Sequence, residues 1–343
     1  MRGKYLVLAG TLGVVAVAAG GCKNNEEENV KNIKIGITLY DQYDTFISEM
    51  MTEFTKYAAD KEESTGVAIN VEILDASQSQ LTQNEQVKSL IDKGCNVVCV
   101  NLVDRTEPTT ITDLAESKQV PIIFFNRELV AEDLERWSEL YYVGADAYQS
   151  GVMEGEIAAD AFKENADMDK NGDGICQYVV LEGEAGHQDA IVRTEYSVNT
   201  IIDNGVEVEK LGYAIANWNR AQAQTKTAAL LTQFEGNLDL IIANNDDMAL
   251  GAIDALRDSK ISREDWPRIV GIDGTQEGLA AVKRGEMLGT VYNDKVGQAH
   301  EMLNLAYAIA TNSDKGDIPL IDGKYVRTPY HKVTLDNVEE YEN

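Results

Sequence analysis

Short apolar runs rich in β-branched residues alternate with amphipathic stretches along most of this chain. Runs of this length, bounded by polar turns, are typical of buried β-strands. They fall in two series, at 33–39, 67–74, 96–102 and 121–125, and then at 176–181, 206–211, 238–243 and 269–272. Stretches with helical periodicity lie near 47–62, 80–93, 107–118, 147–164, 188–203, 219–233, 246–258 and 275–284. This alternation predicts two α/β units, each a parallel sheet with helices on both faces.

Extended segments, not a flexible linker, connect the two series. Residues 141–144 lie between the series and have the character of a crossover, and strand-like segments at 289–293 and 325–330 are candidates to cross back. The domains predicted from this pattern are an N-terminal one of 33–143 plus about 295–326, and a C-terminal one of 144–294 plus about 327–343. A pair of domains joined by several extended crossings can hinge about them.

The N-terminus has the pattern of an export signal. Arg2 and Lys4 precede an uncharged, mostly apolar stretch at 5–21, which ends in small residues before Cys22. We predict a cleaved signal peptide at 1–21, with Cys22 as a lipidated first residue of a bacterial lipoprotein. A plain cleaved signal and an uncleaved anchor are the alternatives. Residues 22–32 are polar and acidic, as expected for a tether that holds the domain clear of the membrane.

Charge and cysteine content limit the function further. The formal net charge of the 343-residue chain is −28, which disfavours binding to nucleic acid. The chain has four cysteines. Cys95 and Cys99 are too far apart along a strand for a disulfide, and Cys176 has no evident partner, so no disulfide framework is predicted.

Polar and aromatic residues follow the predicted strands of both series. Ligands bind outside the carboxyl ends of the strands in open parallel sheets, so these residues are candidates for one binding site. They lie at 40–46, 126–128, 183–189, 193, 244–246, 273 and 293, and Trp218 opens the helix that follows the strand at 206–211. Carboxylates accept hydrogen bonds, Arg donates and Asn does both, while an aromatic ring packs against the C–H face of a pyranose. The set therefore suits a neutral polyol.

Other interpretations of these residues exist. An Asp or Asn after a strand is commonly a helix N-cap. His187 and Asp189 lie near Arg193 in the sequence, but no Ser or Cys nucleophile has a motif beside them. Asp44 and Asp273 could suggest a glycosidase pair, but nothing in the sequence marks one of them as a general acid. We therefore expect a binding protein and not an enzyme, with no catalytic residues.

Several long segments resemble the periplasmic galactose/glucose-binding proteins, which are the receptors of sugar ABC importers. The segments are YDQYDTF at 40–46, NLVD at 101–104, VPIIFFN at 120–126, YYVGAD at 141–146, GEAGHQDA at 183–190, IIANNDDMALGA at 241–252 and GTVYND at 289–294. The resemblance covers about 33–330 and implies the periplasmic-binding-protein-like fold, with two doubly wound parallel-sheet domains joined by a hinge.

The resemblance also implies roles for individual residues. Phe46 and Trp218 would sandwich the sugar ring. The residues that would hydrogen-bond its hydroxyls are Asp44, Asn126, His187, Asp189, Arg193, Asn245, Asp273 and Asn293. Asp44 matches the carboxylate that lets either epimer at the fourth carbon fit, so D-glucose and D-galactose would both bind. Arg127 stands where the family often has Lys, a change expected to matter little.

A loop at 169–177 has the spacing of the first nine residues of an EF-hand calcium loop. Asp169, Asn171, Asp173 and Gln177 fall at positions 1, 3, 5 and 9, and the Ile175 carbonyl is available at position 7. The alternative is a solvated acidic turn. The twelfth position is Val180 instead of Glu, and the family supplies its bidentate ligand from a distant strand, at the position of Asp239. We expect a structural calcium ion, held more weakly if Asp239 replaces that Glu.

The leading hypothesis is therefore a monomeric, lipid-anchored receptor that closes on galactose or glucose and docks on a membrane permease. The alternative within the same fold is a sensor component that presents its closed form to a chemoreceptor or sensor kinase. A transcriptional regulator is disfavoured, because the residues before 33 form a signal and tether and not a DNA-binding helix-turn-helix.

Overall fold

The computed structural model describes residues 31–234 and 236–342. Cys22 and the predicted signal peptide at 1–21 lie outside the described residues, and the last tether residue, Asn32, already belongs to a strand. The strands are β1 (Asn32–Leu39), β2 (Ala68–Asp75), β3 (Val97–Val100), β4 (Ile122–Phe125), β5 (Leu140–Ala145), β6 (Ile175–Glu182), β7 (Glu207–Ile215), β8 (Leu240–Ala243), β9 (Arg268–Asp273), β10 (Gly289–Asn293), β11 (Tyr325–Thr328) and β12 (Tyr330–Thr334). The helices are α1 (Thr45–Thr65), α2 (Gln80–Asp92), α3 (Thr109–Lys118), α4 (Ala131–Leu134), α5 (Ala147–Glu164), α6 (Gln188–Asp203), α7 (Arg220–Gln233), α8 (Asp246–Asp258), α9 (Gln276–Lys283) and α10 (Lys295–Thr311).

The strands form two six-stranded sheets. The first has the order β11-β5-β4-β3-β1-β2 and is parallel throughout. The second has the order β12-β10-β9-β8-β6-β7 and is parallel except for β12. Strand order reverses at β1 in the first sheet and at β6 in the second, which confirms the predicted α/β class with doubly wound sheets. We call each sheet with its helices the first lobe and the second lobe.

The central strands are buried on both faces, as is usual in parallel sheets. All residues of β3, β4 and β8 are buried. In the first lobe Val98, Phe124 and Tyr142 belong to one apolar cluster with residues of α2 and α3. In the second lobe, two such clusters lie on the two sides of the sheet, one with α7 and α8 and the other with α5 and α6.

The chain passes between the lobes three times within the described residues. The first passage follows β5, because α5 packs on α6, β10 and β12 of the second sheet. The second follows β10, because α10 packs on α1 and β1 of the first sheet. The third is Pro329, which separates β11 in the first sheet from β12 in the second.

Two predictions about these passages need correction. Residues 141–144 are not the crossover itself, because they belong to β5 inside the first sheet. Residues 325–330 are not one strand, because Pro329 has no N–H to donate and ends the ladder there. The helix α10 was not identified from the sequence. The domain limits remain a prediction, since the described residues from Lys31 onward cluster as one compact unit.

Cysteines and membrane segments complete the description. Cys95, Cys99 and Cys176 are buried and free, so the described part of the chain has no disulfide. No helix within 31–234 or 236–342 is long and apolar enough to cross a bilayer.

Candidate functional site

A cleft between the two lobes collects the residues that follow the strands. The space free of protein atoms in it is about 350 Å³, part of which is open to solvent. It is lined by Tyr40, Asp44, Phe46, Asn126 and Arg127 of the first lobe, and by His187, Asp189, Arg193, Trp218, Asn245 and Asp273 of the second. Nine of the ten residues to which the resemblance gives a sugar-binding role therefore line a single cleft.

Asp44 presents a carboxylate from the first lobe. It is the N-cap of α1, where its Oδ1 accepts from the Ile47 N–H at 2.9 Å. Its Oδ2 accepts from the Tyr40 hydroxyl at 2.5 Å. Burial raises the pKa of Asp44, although these hydrogen bonds lower it in part. The helix-cap interpretation and the site interpretation of Asp44 are thus compatible, because one carboxylate has lone pairs for both.

Asn126 lines the same cleft as Asp44 and follows β4 in a left-handed conformation, with φ 61°. Its main chain is held at both ends, because its N–H donates to the Val143 carbonyl at 3.1 Å and its carbonyl accepts from the Tyr142 hydroxyl at 2.9 Å. The buried Asn101 amide donates to the Asn126 Oδ1 at 3.2 Å. The side-chain amide of Asn126 is therefore fixed in orientation before any ligand arrives.

His187 presents an imidazole from the second lobe. It is the N-cap of α6, and its Nδ1 accepts from the Asp189 N–H at 3.1 Å. Burial lowers the pKa of His187 well below its ordinary value, and the positive charges of Arg127, Arg193 and Arg105 lower it further. The ring is therefore neutral, and with Nδ1 accepting, its proton is on Nε2. His187 can offer one N–H to a ligand.

Arg193 is the buried centre of the second-lobe wall. Its guanidinium donates to the Asn244 carbonyl at 2.8 Å and the Tyr330 hydroxyl at 3.2 Å, and lies 3.4 Å from Asp189 and 3.7 Å from Asp273. Burial lowers the pKa of Arg193, but the neighbouring Tyr330 and carboxylates outweigh it and the net shift is upward. Burial raises the pKa of Asp189 and that of Asp273, and the charge of Arg193 opposes both shifts. Arg193 therefore stays charged and holds two acceptors at the cleft wall.

Trp218 does not open a helix as the sequence suggested. It lies in the turn between β7 and α7 with φ 60°, two residues before the helix begins at Arg220. Its ring packs against Gly183, where an added Cβ would come within 2.2 Å of the indole. It also meets the His187 ring edge to face, with ring centroids 5.2 Å apart. Phe46, at the start of α1, is the aromatic of the opposite lobe.

Asn245, Asp273 and Asn293 follow three strands of the second sheet. Asn245 caps α8 by accepting from the Met248 N–H at 3.0 Å, and Asp273 has a positive φ of 124° at the end of β9. Both line the cleft. Asn293 is buried but lies outside the lining, and its Oδ1 accepts from Gln298 at 2.6 Å.

Two lining residues had no predicted role at the site. Tyr40 belongs to the segment at 40–46 that resembles the family, and Arg127 was identified only as a replacement for the Lys that the family often has. Their proximity to Asp44 depends on the path of the chain after β1 and β4, which no local spacing encodes. The signal available was their position just after β1 and β4, two strands of the same sheet.

The loop at 169–177 has an oxygen-rich interior. The Asp169 carboxylate accepts from the N–H groups of Gly172 and Gly174 at 2.7 and 2.8 Å. The Asp239 carboxylate accepts from the N–H groups of Lys170 and Gln177, both at 2.8 Å. The buried Gln177 Oε1 has no hydrogen-bond partner.

This donor set fits a hard cation, because carboxylate, amide and carbonyl oxygens are its preferred ligands and one buried oxygen is otherwise unsatisfied. No group of three or more His, Cys, Asp or Glu able to hold a metal was found among the described residues. The predicted ligand set instead includes the amides of Asn171 and Gln177 and the carbonyl of Ile175.

Two α/β lobes with a polar, aromatic-lined cleft between them have the architecture of a solute-binding protein. The chain belongs to the periplasmic binding protein domain family, which matches residues 35–314. It is 35% identical over 311 residues to the D-galactose/methyl-galactoside binding periplasmic protein MglB of Haemophilus influenzae, covering 90% of this chain and 91% of that one. It is 30% identical to a xylitol-binding protein of Mycolicibacterium smegmatis, covering 96% and 83%.

A solved structure has the same fold. It is an ABC transporter solute-binding protein of Bacillus halodurans with bound myo-inositol, which is similar with a TM-score of 0.76 and 27% identity over 92% of this chain and 99% of that one. These similarities confirm the predicted family. The chain is an extracytoplasmic, non-enzymatic solute-binding protein of the sugar ABC importer class.

Proposed function

We propose that this protein captures D-galactose and D-glucose and delivers them to an ABC importer. The observation that carries the proposal is the composition of the cleft: acceptors at Asp44 and Asn126 on one lobe oppose donors at His187 and Arg193 on the other. The name of the Haemophilus influenzae relative, a D-galactose/methyl-galactoside binding protein, supports the same choice.

Hydroxyl geometry gives the reason for accepting both sugars. Galactose and glucose differ only in the direction of the hydroxyl at the fourth carbon. The two oxygens of the Asp44 carboxylate have about four lone-pair sites, of which Ile47 and Tyr40 occupy two. The remaining sites point in different directions, so either epimer finds an acceptor. The apolar faces of the ring then pack between Phe46 and Trp218.

Calorimetry with the purified protein tests this proposal. D-galactose, D-glucose, D-ribose, xylitol and myo-inositol should be titrated under the same conditions. We expect galactose and glucose to bind with Kd below about 100 μM and more tightly than the other three. Asp44→Asn, which replaces an acceptor oxygen by a donor, should lower the affinity for both hexoses. Tighter binding of ribose, xylitol or myo-inositol would overturn the assignment of the hexose.

We also propose that the loop at 169–177 binds a structural calcium ion. Asp169, Asn171, Asp173, the Ile175 carbonyl, Gln177 and Asp239 would be its ligands. The unsatisfied Gln177 Oε1 and the all-oxygen donor set support this. Equilibrium dialysis against calcium of the EDTA-treated protein should find one bound ion, and Asp169→Asn should weaken its binding. Absence of bound calcium at 1 mM would contradict the proposal.

A lipid anchor at Cys22 completes the proposed function. The apolar stretch ending in small residues before Cys22 supports it. Metabolic labelling with a fatty acid should mark the wild type, and Cys22→Ser should be unlabelled and leave the membrane fraction. Cys95→Ser is the matched control, because it removes another cysteine and should stay labelled. Labelling of Cys22→Ser equal to the wild type would exclude this anchor.

A further inference from the structure

One ion pair crosses the cleft directly beside the binding site. Arg127 follows β4 of the first lobe and Glu184 follows β6 of the second, and the Arg127 Nη2 lies 2.8 Å from the Glu184 Oε2. The guanidinium is 4% exposed, whereas the carboxylate is 45% exposed. Arg127 is therefore the fixed partner and Glu184 the group that arrives from the other lobe.

The position of Arg127 is fixed within the first lobe. Its Nη1 donates to the Val103 carbonyl at 2.9 Å. Its guanidinium lies over the ring of Tyr40, with Cζ 3.6 Å from the ring centroid. A planar guanidinium can stack on a ring and donate in its own plane at the same time, which a Lys ammonium cannot do. Arg127 therefore makes a combination of contacts that the Lys often found at this position in the family could not make.

Tyr40 connects Arg127 to Asp44, which is predicted to bind the sugar. The Tyr40 hydroxyl donates to the Asp44 Oδ2 at 2.5 Å. The other carboxylate oxygen is held by the Ile47 N–H. A continuous series of contacts therefore runs from Glu184 through Arg127 and Tyr40 to Asp44, and its first contact exists only while the lobes are together.

We propose that Glu184, Arg127 and Tyr40 form a closure relay that couples contact between the lobes to the orientation of Asp44. When the lobes close, Glu184 binds Arg127 and restrains the guanidinium over Tyr40, which then holds the Asp44 carboxylate towards the sugar. These three are positioning residues, since they act through Asp44. The inference rests on the proposed sugar-binding role of Asp44.

The relay has a kinetic consequence. The contact between Glu184 and Arg127 forms after the sugar has entered the open cleft, so its loss leaves the association rate nearly unchanged and raises the dissociation rate. A hydrogen bond to a charged group of this kind is worth about tenfold in a rate or equilibrium constant. A second contact across the cleft joins Thr45 Oγ1 to Asp247 Oδ2 at 2.7 Å, and it does not involve Arg127.

Stopped-flow measurement of indole fluorescence tests the relay. Glu184→Gln, Tyr40→Phe, Arg127→Lys and the double variant of Glu184→Gln with Tyr40→Phe should be compared with the wild type on D-galactose and D-glucose. We expect Glu184→Gln to raise the dissociation rate about tenfold with association within about twofold. Tyr40→Phe should abolish most of the effect of Glu184→Gln, because the relay is already broken.

Glu209→Gln is the matched control, because Glu209 is an exposed carboxylate of the same lobe on β7, and it should behave as the wild type. Additive effects of Glu184→Gln and Tyr40→Phe, or an unchanged dissociation rate in Glu184→Gln, would overturn the relay while leaving hexose binding intact. If the wild type prefers another monosaccharide, the proposed function fails, and the relay is judged by the same rates measured with that sugar.

Discussion

The His187 ring meets the Trp218 ring edge to face, with 5.2 Å between their centroids. The contact orients the indole from one edge, while Gly183 leaves room behind it. An aromatic ring held in this way presents its face to the cleft with little loss of side-chain entropy on binding. The affinity for a sugar should therefore depend strongly on Trp218 and on the residues that hold it.

Removing the indole should weaken sugar binding most. Trp218→Ala is expected to cost more than about 2 kcal/mol of binding free energy, or about 30-fold in Kd, because a buried stacked aromatic is lost. Trp218→Phe retains a ring face and should lose less. Calorimetry with D-galactose measures both, and Trp266→Phe, at a Trp outside the cleft lining, is the control. Equal affinity of Trp218→Ala and the wild type would exclude the stacking role.

Displacing the indole without removing it should also weaken sugar binding. A Cβ at Gly183 would lie 2.2 Å from the Trp218 ring, so the ring must move in Gly183→Ala. We expect the Kd for the sugar to rise by about tenfold, equivalent to about 1.4 kcal/mol. Gly212→Ala is the control, because its nearest added contact is 3.3 Å from Phe234. The idea fails if Gly183→Ala folds normally and binds as the wild type does.

The buried Asp246 should make stability fall as pH rises. Burial raises its pKa to about 7, although Thr290 and Thr275 hydrogen-bond it. Between the unfolded pKa, near 3.9, and about 7, the folded protein holds a proton that the unfolded chain has released. The contribution is complete below the unfolded pKa and is lost progressively as pH rises to about 7, with a slope of at most about 1.4 kcal/mol per pH unit.

Asp246→Asn should therefore flatten the pH dependence of unfolding. Urea unfolding at intervals from pH 4.5 to 8 measures the free energy of unfolding for the wild type and the variant. Asp258→Asn, at the exposed end of the same helix, is the control and should keep the wild-type slope. An Asp246→Asn variant with an undiminished slope would show that another group titrates.

The loop at 169–177, for which a calcium ion is proposed, should affect stability more than sugar specificity. Ligand at a hundredfold excess over its Kd stabilises a protein by about 2.7 kcal/mol, which corresponds to several degrees in Tm. Calcium should raise the Tm of the wild type by several degrees, and Asp173→Ala should lose most of this increase in Tm. Its preference for galactose over ribose should not change. Thermal unfolding with calcium or EDTA, followed by sugar titration of the folded variant, checks both statements.

The sequence predicted most of the fold because parallel strands buried on both faces leave short, continuous apolar runs. Strands such as β1 and β10 lie within one residue of their predicted bounds. The helix α10 was missed because it is apolar around much of its surface and shows little helical contrast. The split at Pro329 was missed because both strands are extended, and only tertiary pairing assigns them to different sheets.

The candidate site was predictable to the extent that it follows strand ends. Asp44 and His187 come directly before helices after β1 and β6, so topology places each of them at the carboxyl edge of its own sheet. The pairing of Arg127 with Glu184 was not predictable, because it depends on how the two lobes meet. Asn293 was placed in the set by the same rule, but Gln298 holds its side-chain oxygen outside the cleft lining.

The order of the strands also determines when each lobe can be completed. The first sheet lacks its edge strand β11 until the chain has been synthesised to residue 328, and the second sheet lacks its edge strand β12 until residue 334. A chain that ends before residue 325 thus exposes β5 and β10, which are interior strands of the complete sheets, as edge strands. Because unpaired edges invite association with other chains, a late truncation should cause aggregation of the entire protein, and not the loss of one lobe alone.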